Sequence, residues 1–257
     1  MTEQGRRKRI LGVLADRPFA SVRDLVALLD VSPATVRRDL DKLHEAGEAR
    51  KVFGGIALLG GAARTHALPF GENSDLAVDA KAAIAECAAA LVQDGDMVIV
   101  ASGSTCYQLG VLLSRRPVTI HTNSMPLAAM IGTAGVCQMV LSGGTLHREP
   151  GILYDHEDRA PDFNASRLFL GAQGLCPDGV MESHPLIVRT TRMMLERTDE
   201  VIVLADSRKL AIRARHLTCP VERISTVITD EGISTDDSAA LREAGVRVVI
   251  AQAGARA

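Results

Sequence analysis

Two different spacings of apolar residues divide the chain into a short helical part and a longer part in which strands and helices alternate. Up to about residue 45, apolar side chains recur at helical spacing, as on one face of a helix. Beyond residue 96, short continuous apolar runs give way to small polar turns, and some of these turns lead into helical spacing. The first pattern predicts a helical module, and the second predicts a parallel β-sheet with crossover helices.

The N-terminal pattern predicts three helices. The first covers residues 6–15, and Ser21 is a suitable N-cap for the second. Ser32 and Pro33 begin the third helix, because serine caps helices well and proline is tolerated in their first turn. We expect Gly47 to end this third helix in a left-handed conformation.

The third helix and the segment after it have chemistry suited to DNA. A helix with serine, threonine and arginine near its N-terminus can meet phosphates and base edges in a major groove. Arg50 and Lys51 follow in a short hairpin that Gly54 and Gly55 close. Two helices, a tight turn, a third helix and a β-wing form a winged helix-turn-helix. Taken alone, the third helix also fits an ordinary amphipathic surface helix.

The charge distribution favours a DNA contact in this first part. Residues 1–57 carry 11 Lys and Arg against 8 Asp and Glu, a net charge of +3, whereas the whole chain has a net charge of −2. A basic module on an acidic body is typical of a protein whose small domain contacts nucleic acid. The basic cluster at residues 6–9 either neutralises DNA phosphates or is a solvated helix end.

In the second part, polar turns follow three apolar runs. Residues 97–101, 118–121 and 138–141 are predicted strands, and each leads into a small turn rich in Gly, Ser, Thr or Asn. The carboxyl ends of parallel strands lie at one edge of a sheet, where backbone N–H groups and a helix N-terminus can hold an anion. The convergence of three such turns at one edge of the sheet favours a ligand-binding role for them over a purely structural role. None of these residues needs to be catalytic.

Further predicted strands cover residues 168–171, 201–205, 224–228 and 246–251. Asp206 and Lys209 come just after one of them and face either a bound polyol or phosphate, or each other in a salt-bridged loop.

The motifs in both parts resemble the DeoR family of bacterial transcriptional regulators. Residues 32–40 read S-x-x-T-x-R-R-D-L, and the Gly-Gly pair closes the wing. The resemblance implies the DNA-facing residues Ser32, Thr35, Arg37, Arg38, Lys42, Arg50 and Lys51. It also implies that Asp39 orients an arginine and does not contact DNA.

The second part resembles the effector domain of the same family through GD-x4-ASGST at residues 95–105, TNS, GG, G-x-x-G and D-S-x-K. The resemblance implies a fold similar to ribose-5-phosphate isomerase and an effector that is a phosphorylated sugar or sugar acid. The implied effector-binding residues are Lys81, Gly103, Ser104, Thr105, Thr122, Asn123, Ser124, Gly143, Gly144, Asp206 and Lys209.

The chain departs from the family pattern at two places. Ala101 stands where the family commonly has Asp, and the helix over residues 186–193 lacks the Glu and Lys often found there. The pocket has therefore lost some acid and base chemistry. The layout after the first strand is similar to that of the branch that regulates ascorbate utilisation.

Composition sets the remaining expectations. We expect a DNA-binding domain at residues 1–57, a Gly- and Ala-rich linker at 58–77, and an effector-binding and oligomerisation domain at 78–257. The five cysteines are odd in number and far apart, which fits a reducing cytoplasm and predicts no zinc site or other metal centre. The sequence shows no signal peptide and no membrane-spanning run, and it suggests no cofactor.

Three functional hypotheses follow. In the first, a repressor of a carbohydrate-utilisation operon binds operator DNA as a homo-oligomer, dimer or tetramer, and a phosphorylated sugar or sugar acid releases it. In the second, the protein is a sugar-phosphate isomerase with an accessory DNA-binding module, which needs a base near the substrate carbon. In the third, the body only oligomerises a DNA-binding module. The first hypothesis is favoured, with no enzymatic activity.

Overall fold

The structure is a computed structural model that describes residues 2–16, 19–46, 48–52, 55–58, 69–156 and 164–252. Its N-terminal part consists of three helices and three short strands. In chain order these are α1 Glu3–Asp16, β1 Phe19–Ser21, α2 Val22–Leu29, α3 Pro33–Glu45, β2 Ala49–Val52 and β3 Gly55–Leu58. The predicted order of helices and wing is confirmed.

The N-caps of the second and third helices are those that the sequence predicts. Ser21 accepts a hydrogen bond from the backbone N–H of Asp24, and Ser32 accepts one from the N–H of Thr35 at 3.2 Å. These caps satisfy N–H groups that have no intrahelical partner. Helix α3 ends at Glu45 with Ala46 as its C-cap, and Gly47, the predicted end, lies outside the described residues.

One strand of this part has no counterpart in the sequence analysis. Strand β1 pairs antiparallel with β3, which also pairs with β2, so the wing is part of a three-stranded sheet. A three-residue strand is too short to show alternation in the sequence. The apolar faces of the helices and sheet form one core that includes Ile10, Leu25, Val36, Leu40 and Ile56.

The remaining part alternates strands and helices, as predicted. Its elements are α4 Phe70–Ser74, α5 Val78–Ala89, β4 Met97–Val100, α6 Ser104–Leu113, β5 Thr119–Thr122, α7 Met125–Ala134, β6 Gln138–Leu141, β7 Thr145–His147, β8 Ile152–Tyr154, β9 Ala165–Gly171, β10 Gly174–Cys176, β11 Gly179–Glu182, α8 Pro185–Leu195, β12 Thr198–Leu204, β13 His216–Pro220, β14 Thr226–Asp230, α9 Thr235–Glu243 and β15 Arg247–Ala251. Short 3-10 helices lie at Ser207–Ala211 and Val221–Arg223.

Seven strands form one parallel sheet in the order β15-β14-β12-β9-β4-β5-β6. Helices α5, α6 and α7 cover one face. The other face is covered by α8, α9 and a small antiparallel sheet, β10-β11-β13, which the sequence analysis does not predict. Both faces are packed with aliphatic side chains, and this explains the continuous apolar runs of the central strands.

The structure adds three features to the predicted layout. Strand β6 lies at the sheet edge, where Val140 and Leu141 remain 41% and 39% exposed. The Gly-Gly turn after it leads into the β7–β8 hairpin. Residues 70–74, within the predicted linker, form helix α4, which packs against α6.

Among the described residues, no helix is long and apolar enough to cross a membrane.

Candidate DNA-binding face and effector cavity

Helix α3 presents one polar face to solvent. Ser32, Arg37, Arg38 and Lys42 are exposed, and Thr35 is half-buried, while the apolar side chains of the helix point into the core. The Ser32 hydroxyl also lies 2.9 Å from the Thr35 hydroxyl. The predicted DNA-facing residues of this helix are therefore accessible on its solvent side, as contact with a DNA groove requires.

A buried ion pair fixes this helix against α1. Asp39 is 2% exposed and accepts two hydrogen bonds from Arg6, at 2.6 Å from Nε and 3.1 Å from a terminal nitrogen. The two parallel bonds define both the distance and the rotation between the helices. The expectation that Asp39 orients an arginine is met. Arg6, the first residue of the basic cluster at residues 6–9, therefore has a structural ion-pair partner. A residue that served only to bind DNA phosphate would not need one.

Two of the predicted DNA contacts are held by exposed ion pairs. Lys42 Nζ lies 2.7 Å from a carboxylate oxygen of Glu3, and Lys51 pairs with Asp41. Exposed pairs of this kind contribute little to stability, so both lysines can exchange their partners for phosphates. Arg50 lies in β2, and its side chain is outside the described part of the structure.

The second candidate site is a cavity of about 80 Å³ at the carboxyl ends of β4, β5 and β9. The predicted effector residues that line it are Gly103, Ser104, Thr105, Asn123 and Lys209. The lining residues that were not among the predicted effector residues include Phe70, Asn73, Ala101, Gln173, Glu182, Ile187, Thr191 and Thr218. The cavity lies where ligands of open parallel sheets generally bind.

The N-terminus of α6 forms one wall of the cavity. Gly103 immediately precedes the helix with φ 120° and ψ 155°, a conformation that is essentially restricted to glycine. The N–H groups of the first helical turn have no intrahelical partners and carry partial positive charge, so this wall suits an anion. Ser104 and Thr105 add buried hydroxyl groups there.

A charged cluster lies behind this wall. Asp206 is buried and accepts two hydrogen bonds from Arg208, at 2.6 and 2.8 Å. Burial raises the pKa of Asp206, but Arg208 and the neighbouring lysines outweigh this effect, so the pKa is lowered. Burial lowers the pKa of Lys81 to about 7, although Asp206 opposes the shift. Among the described residues that line the cavity, neither Asp206 nor Lys81 is present, whereas Lys209 is.

Four other predicted effector residues lie at or just after the ends of β5 and β6. The Thr122 hydroxyl accepts a hydrogen bond from the Ser124 N–H, and Ser124 caps α7 by accepting one from the Leu127 N–H. Gly143 and Gly144 lie in the turn before β7. Within the described part of the chain, none of these four residues lines the cavity.

Helix α4 closes one side of the cavity. Asn73 donates a hydrogen bond from Nδ2 to the Ser104 hydroxyl at 3.1 Å, and Lys81 donates one to the Asn73 carbonyl oxygen. The Phe70 ring packs edge-on against Tyr107, with ring centroids 5.4 Å apart. The composition of this segment indicates only a linker, because a five-residue helix has too few positions to show periodicity.

Comparison with known proteins identifies the family. A model of the DeoR-like helix-turn-helix domain matches residues 6–60, and a model of the DeoR C-terminal sensor domain matches residues 76–231. The chain belongs to the DeoR family of DNA-binding transcriptional regulators, with a winged helix-turn-helix followed by an α/β sensor domain. The family is regulatory, so the isomerase alternative has no support from it.

Individual relatives are similar over almost the whole chain. The HTH-type transcriptional regulator UlaR of Shigella dysenteriae serotype 1 is 30% identical over 97% of this chain and 99% of its own length. UlaR of Salmonella newport is 29% identical over the same shares.

Solved structures give weaker matches. Ribose 5-phosphate isomerase A from Methanocaldococcus jannaschii has a TM-score of 0.36 and 17% identity, covering 50% of this chain and 52% of its own. eIF2B delta from Chaetomium thermophilum has a TM-score of 0.42 and 16% identity, covering 59% and 56%.

Proposed function

We propose that this regulator is a cytoplasmic repressor of a carbohydrate-utilisation operon and that a phosphorylated sugar or sugar acid releases it from its operator. The DNA-binding residues would be those on the exposed face of α3 together with Arg50 and Lys51 of the wing. The effector would occupy the cavity at the N-terminus of α6.

A homo-oligomer fits the DNA-binding part of this proposal. One winged helix contacts a single half-site, and single modules of this size bury too little surface for the usual specific affinity. A dimer or tetramer places two recognition helices on a pseudo-palindromic operator. The exposed ion pairs of Lys42 and Lys51 then reopen to contact phosphates.

The composition of the cavity carries the effector part of the proposal. Gly103, Ser104 and Thr105 provide an anion-binding helix terminus, and Lys209 adds a positive charge. The remaining walls supply amide and hydroxyl groups. A phosphorylated polyol has the matching chemistry, with a charged end and an uncharged hydrogen-bonding end.

Helix α4 offers a route from the cavity towards the DNA-binding part of the chain. An anion bound at the α6 terminus competes with Asn73 for the Ser104 hydroxyl, and Phe70 and Asn73 of α4 both line the cavity. A ligand shifts the protein between two states only by binding them unequally. Rearrangement of the Asn73–Ser104 contact is such a difference.

Fluorescence anisotropy with DNA from upstream of the protein's own operon tests the proposal. We expect specific binding that weakens with salt by about 0.9 log units per phosphate contact per log unit of salt. A panel of sugar phosphates and phosphorylated sugar acids is then titrated into the complex, and at least one should release the DNA. Specific binding that no member of the panel changes would contradict the effector assignment.

A further inference from the structure

A further group of polar residues that line the cavity was not among the predicted effector residues. Gln173 follows β9, Glu182 ends β11, Thr218 lies in β13, and Thr191 lies in α8. Three of these positions belong to or border the small antiparallel sheet. The hydrogen bonding of some polar atoms in this group is incomplete.

The Gln173 side chain is fixed in one orientation. Its Oε1 atom accepts two hydrogen bonds from Ser183, one from the backbone N–H at 2.9 Å and one from the hydroxyl at 2.6 Å. Because a backbone N–H can only donate, the atom that it faces must be the amide oxygen. The amide Nε2 is therefore held as a donor, and it is buried without a hydrogen-bond partner among the residues that the structure describes.

Two more buried polar atoms in the same cavity have no partner in the described part of the chain. These are the Thr218 hydroxyl and the Asn123 Oδ1, in side chains that are 2% and 3% exposed. Leaving such a group unpaired costs free energy, and buried polar groups without partners are few in native proteins. Three in one cavity indicate groups that are kept available for a ligand.

We infer that Gln173, Thr218 and Asn123 recognise the uncharged, hydroxyl- and carbonyl-bearing end of the phosphorylated effector, and that Gln173 determines its specificity. The inference rests on the proposed function, because the anionic end is assigned to the α6 terminus and Lys209. Gln173 offers a donor to a ring, carbonyl or hydroxyl oxygen. Thr218 can donate or accept, and Asn123 accepts from a hydroxyl group. A polyhydroxylated phosphate satisfies all three, whereas inorganic phosphate satisfies none of them once bound at the helix terminus.

The variant Q173E tests the role of Gln173 with the smallest change. Its carboxylate retains an acceptor for Ser183 but replaces the Nε2 donor with a second acceptor, which repels the ligand oxygen. Calorimetric titration of the full-length protein uses inorganic phosphate, ribose 5-phosphate and 6-phosphogluconate as probes. For the wild type we expect at least one of the two organic phosphates to bind at least about tenfold more tightly than inorganic phosphate. In Q173E this advantage should fall by about ten- to a hundredfold. Because the added negative charge also weakens binding of inorganic phosphate, the readout is the ratio of the organic to the inorganic affinity.

The variant T218V separates recognition from folding. Valine has nearly the shape of threonine and lacks the unpaired hydroxyl group, so the ligand-free protein should be at least as resistant to urea as the wild type. Its affinity for the best organic phosphate should still fall several-fold. Loss of affinity together with retained or increased stability cannot result from damage to the fold.

The results of these titrations distinguish the inference about Gln173, Thr218 and Asn123 from the effector proposal on which it rests. If Q173E and T218V bind the organic phosphate as tightly as the wild type, the inference is wrong and the effector assignment stands. Equal wild-type affinity for inorganic and organic phosphates would also overturn the inference, while leaving the anion site intact. If the wild type binds none of the three probes, both the phosphorylated-effector proposal and this inference are contradicted.

Discussion

The candidate DNA-binding face and the candidate effector cavity use similar polar groups in opposite surroundings. The charged groups of α3 that are predicted to face DNA, unlike the buried Asp39, are exposed or held in exchangeable surface pairs, as for Lys42 with Glu3. Those around the cavity are buried, and Asp206 with Arg208 forms a fixed bidentate pair. Water and salt screen the exposed charges of α3, and they screen the buried charges around the cavity much less. DNA binding should therefore respond mainly to ionic strength, and effector binding should respond to pH and to the shape of single side chains.

Filling the cavity should have the largest effect and should separate the two regions completely. In S104L, a bulky side chain at the α6 terminus displaces the anion from a cavity of about 80 Å³. We expect affinity for the effector to fall by more than about a hundredfold, because the leucine side chain occupies the space that the anion needs, while operator affinity is unchanged. Anisotropy with and without effector measures both quantities. S104A, which removes only the hydroxyl, is the control, and normal release of DNA by S104L would contradict the site.

The reciprocal change is R38A on the exposed face of α3. Loss of an arginine contact to a base edge or a phosphate should weaken operator binding by about ten- to a hundredfold, equivalent to about 1–3 kcal/mol. The effector affinity should not change. The matched control is R242A, an exposed arginine in α9. Operator affinity equal to that of the wild type in R38A would remove Arg38 from the DNA-binding set.

Backbone conformation at the cavity can be tested with G103A. Alanine at φ 120° and ψ 155° is strained, so we expect a stability loss of about 1–3 kcal/mol in urea denaturation, together with weaker effector binding. The control is G132A in α7, where a Cβ meets no atom within 4 Å and the backbone is helical. That variant should be neutral or slightly more stable. Equal stability of G103A and G132A would contradict the strain argument.

The pH dependence of effector binding should distinguish the buried charges from the exposed ones. The pKa of Lys81 is about 7, and a bound anion raises it, so binding takes up a proton. The affinity for the effector should therefore fall as the pH rises from about 7 to 8.5. A phosphate monoester has a pKa of about 6 and is already mainly dianionic over this range, so its own titration contributes little. Calorimetry of the wild type and K81M measures this slope. A slope of the same size in K81M would exclude Lys81 as its source.

Stability should depend on pH through the same lysine. Because its pKa in the folded protein is below the usual 10.5, the unfolded chain binds more protons between pH 7 and 10.5, and stability should rise with pH over this range.

The smallest expected effect concerns the link between the two regions. N73A removes the hydrogen bond to Ser104 that the effector displaces in the proposed mechanism. We expect a two- to fivefold change in the effector concentration that releases DNA, the size expected for a single neutral hydrogen bond of about 0.5–1 kcal/mol. Operator affinity without effector serves as the internal reference. An unchanged release midpoint would exclude this contact from the coupling.

The two regions also differ in how far the sequence predicts them. The candidate recognition face lies on one helix. Helical spacing and the N-cap at Ser32 are therefore enough to place its residues, Ser32, Thr35, Arg37, Arg38 and Lys42. The cavity combines positions from Phe70 to Thr218. Strand-end turns led to Gly103, Ser104, Thr105, Asn123 and Lys209, which do line it. Gln173 is an unspecified position of the G-x-x-G motif, and Thr218 lies in β13, a strand that the sequence pattern does not predict.

Sequence alone determined what local rules can encode: the helix starts at Ser21 and Ser32, the apolar strands of a parallel sheet, the winged-helix motif and the family. Tertiary structure decided which polar groups lack partners and face one another. Ser183 decides which atom of the Gln173 amide is left without a hydrogen-bond partner. Arg6 decides whether Asp39 is available to DNA. Such pairings join residues that are distant along the chain. Hydrogen bonding and burial depend on the distance in space between atoms, which periodicity in the sequence does not specify.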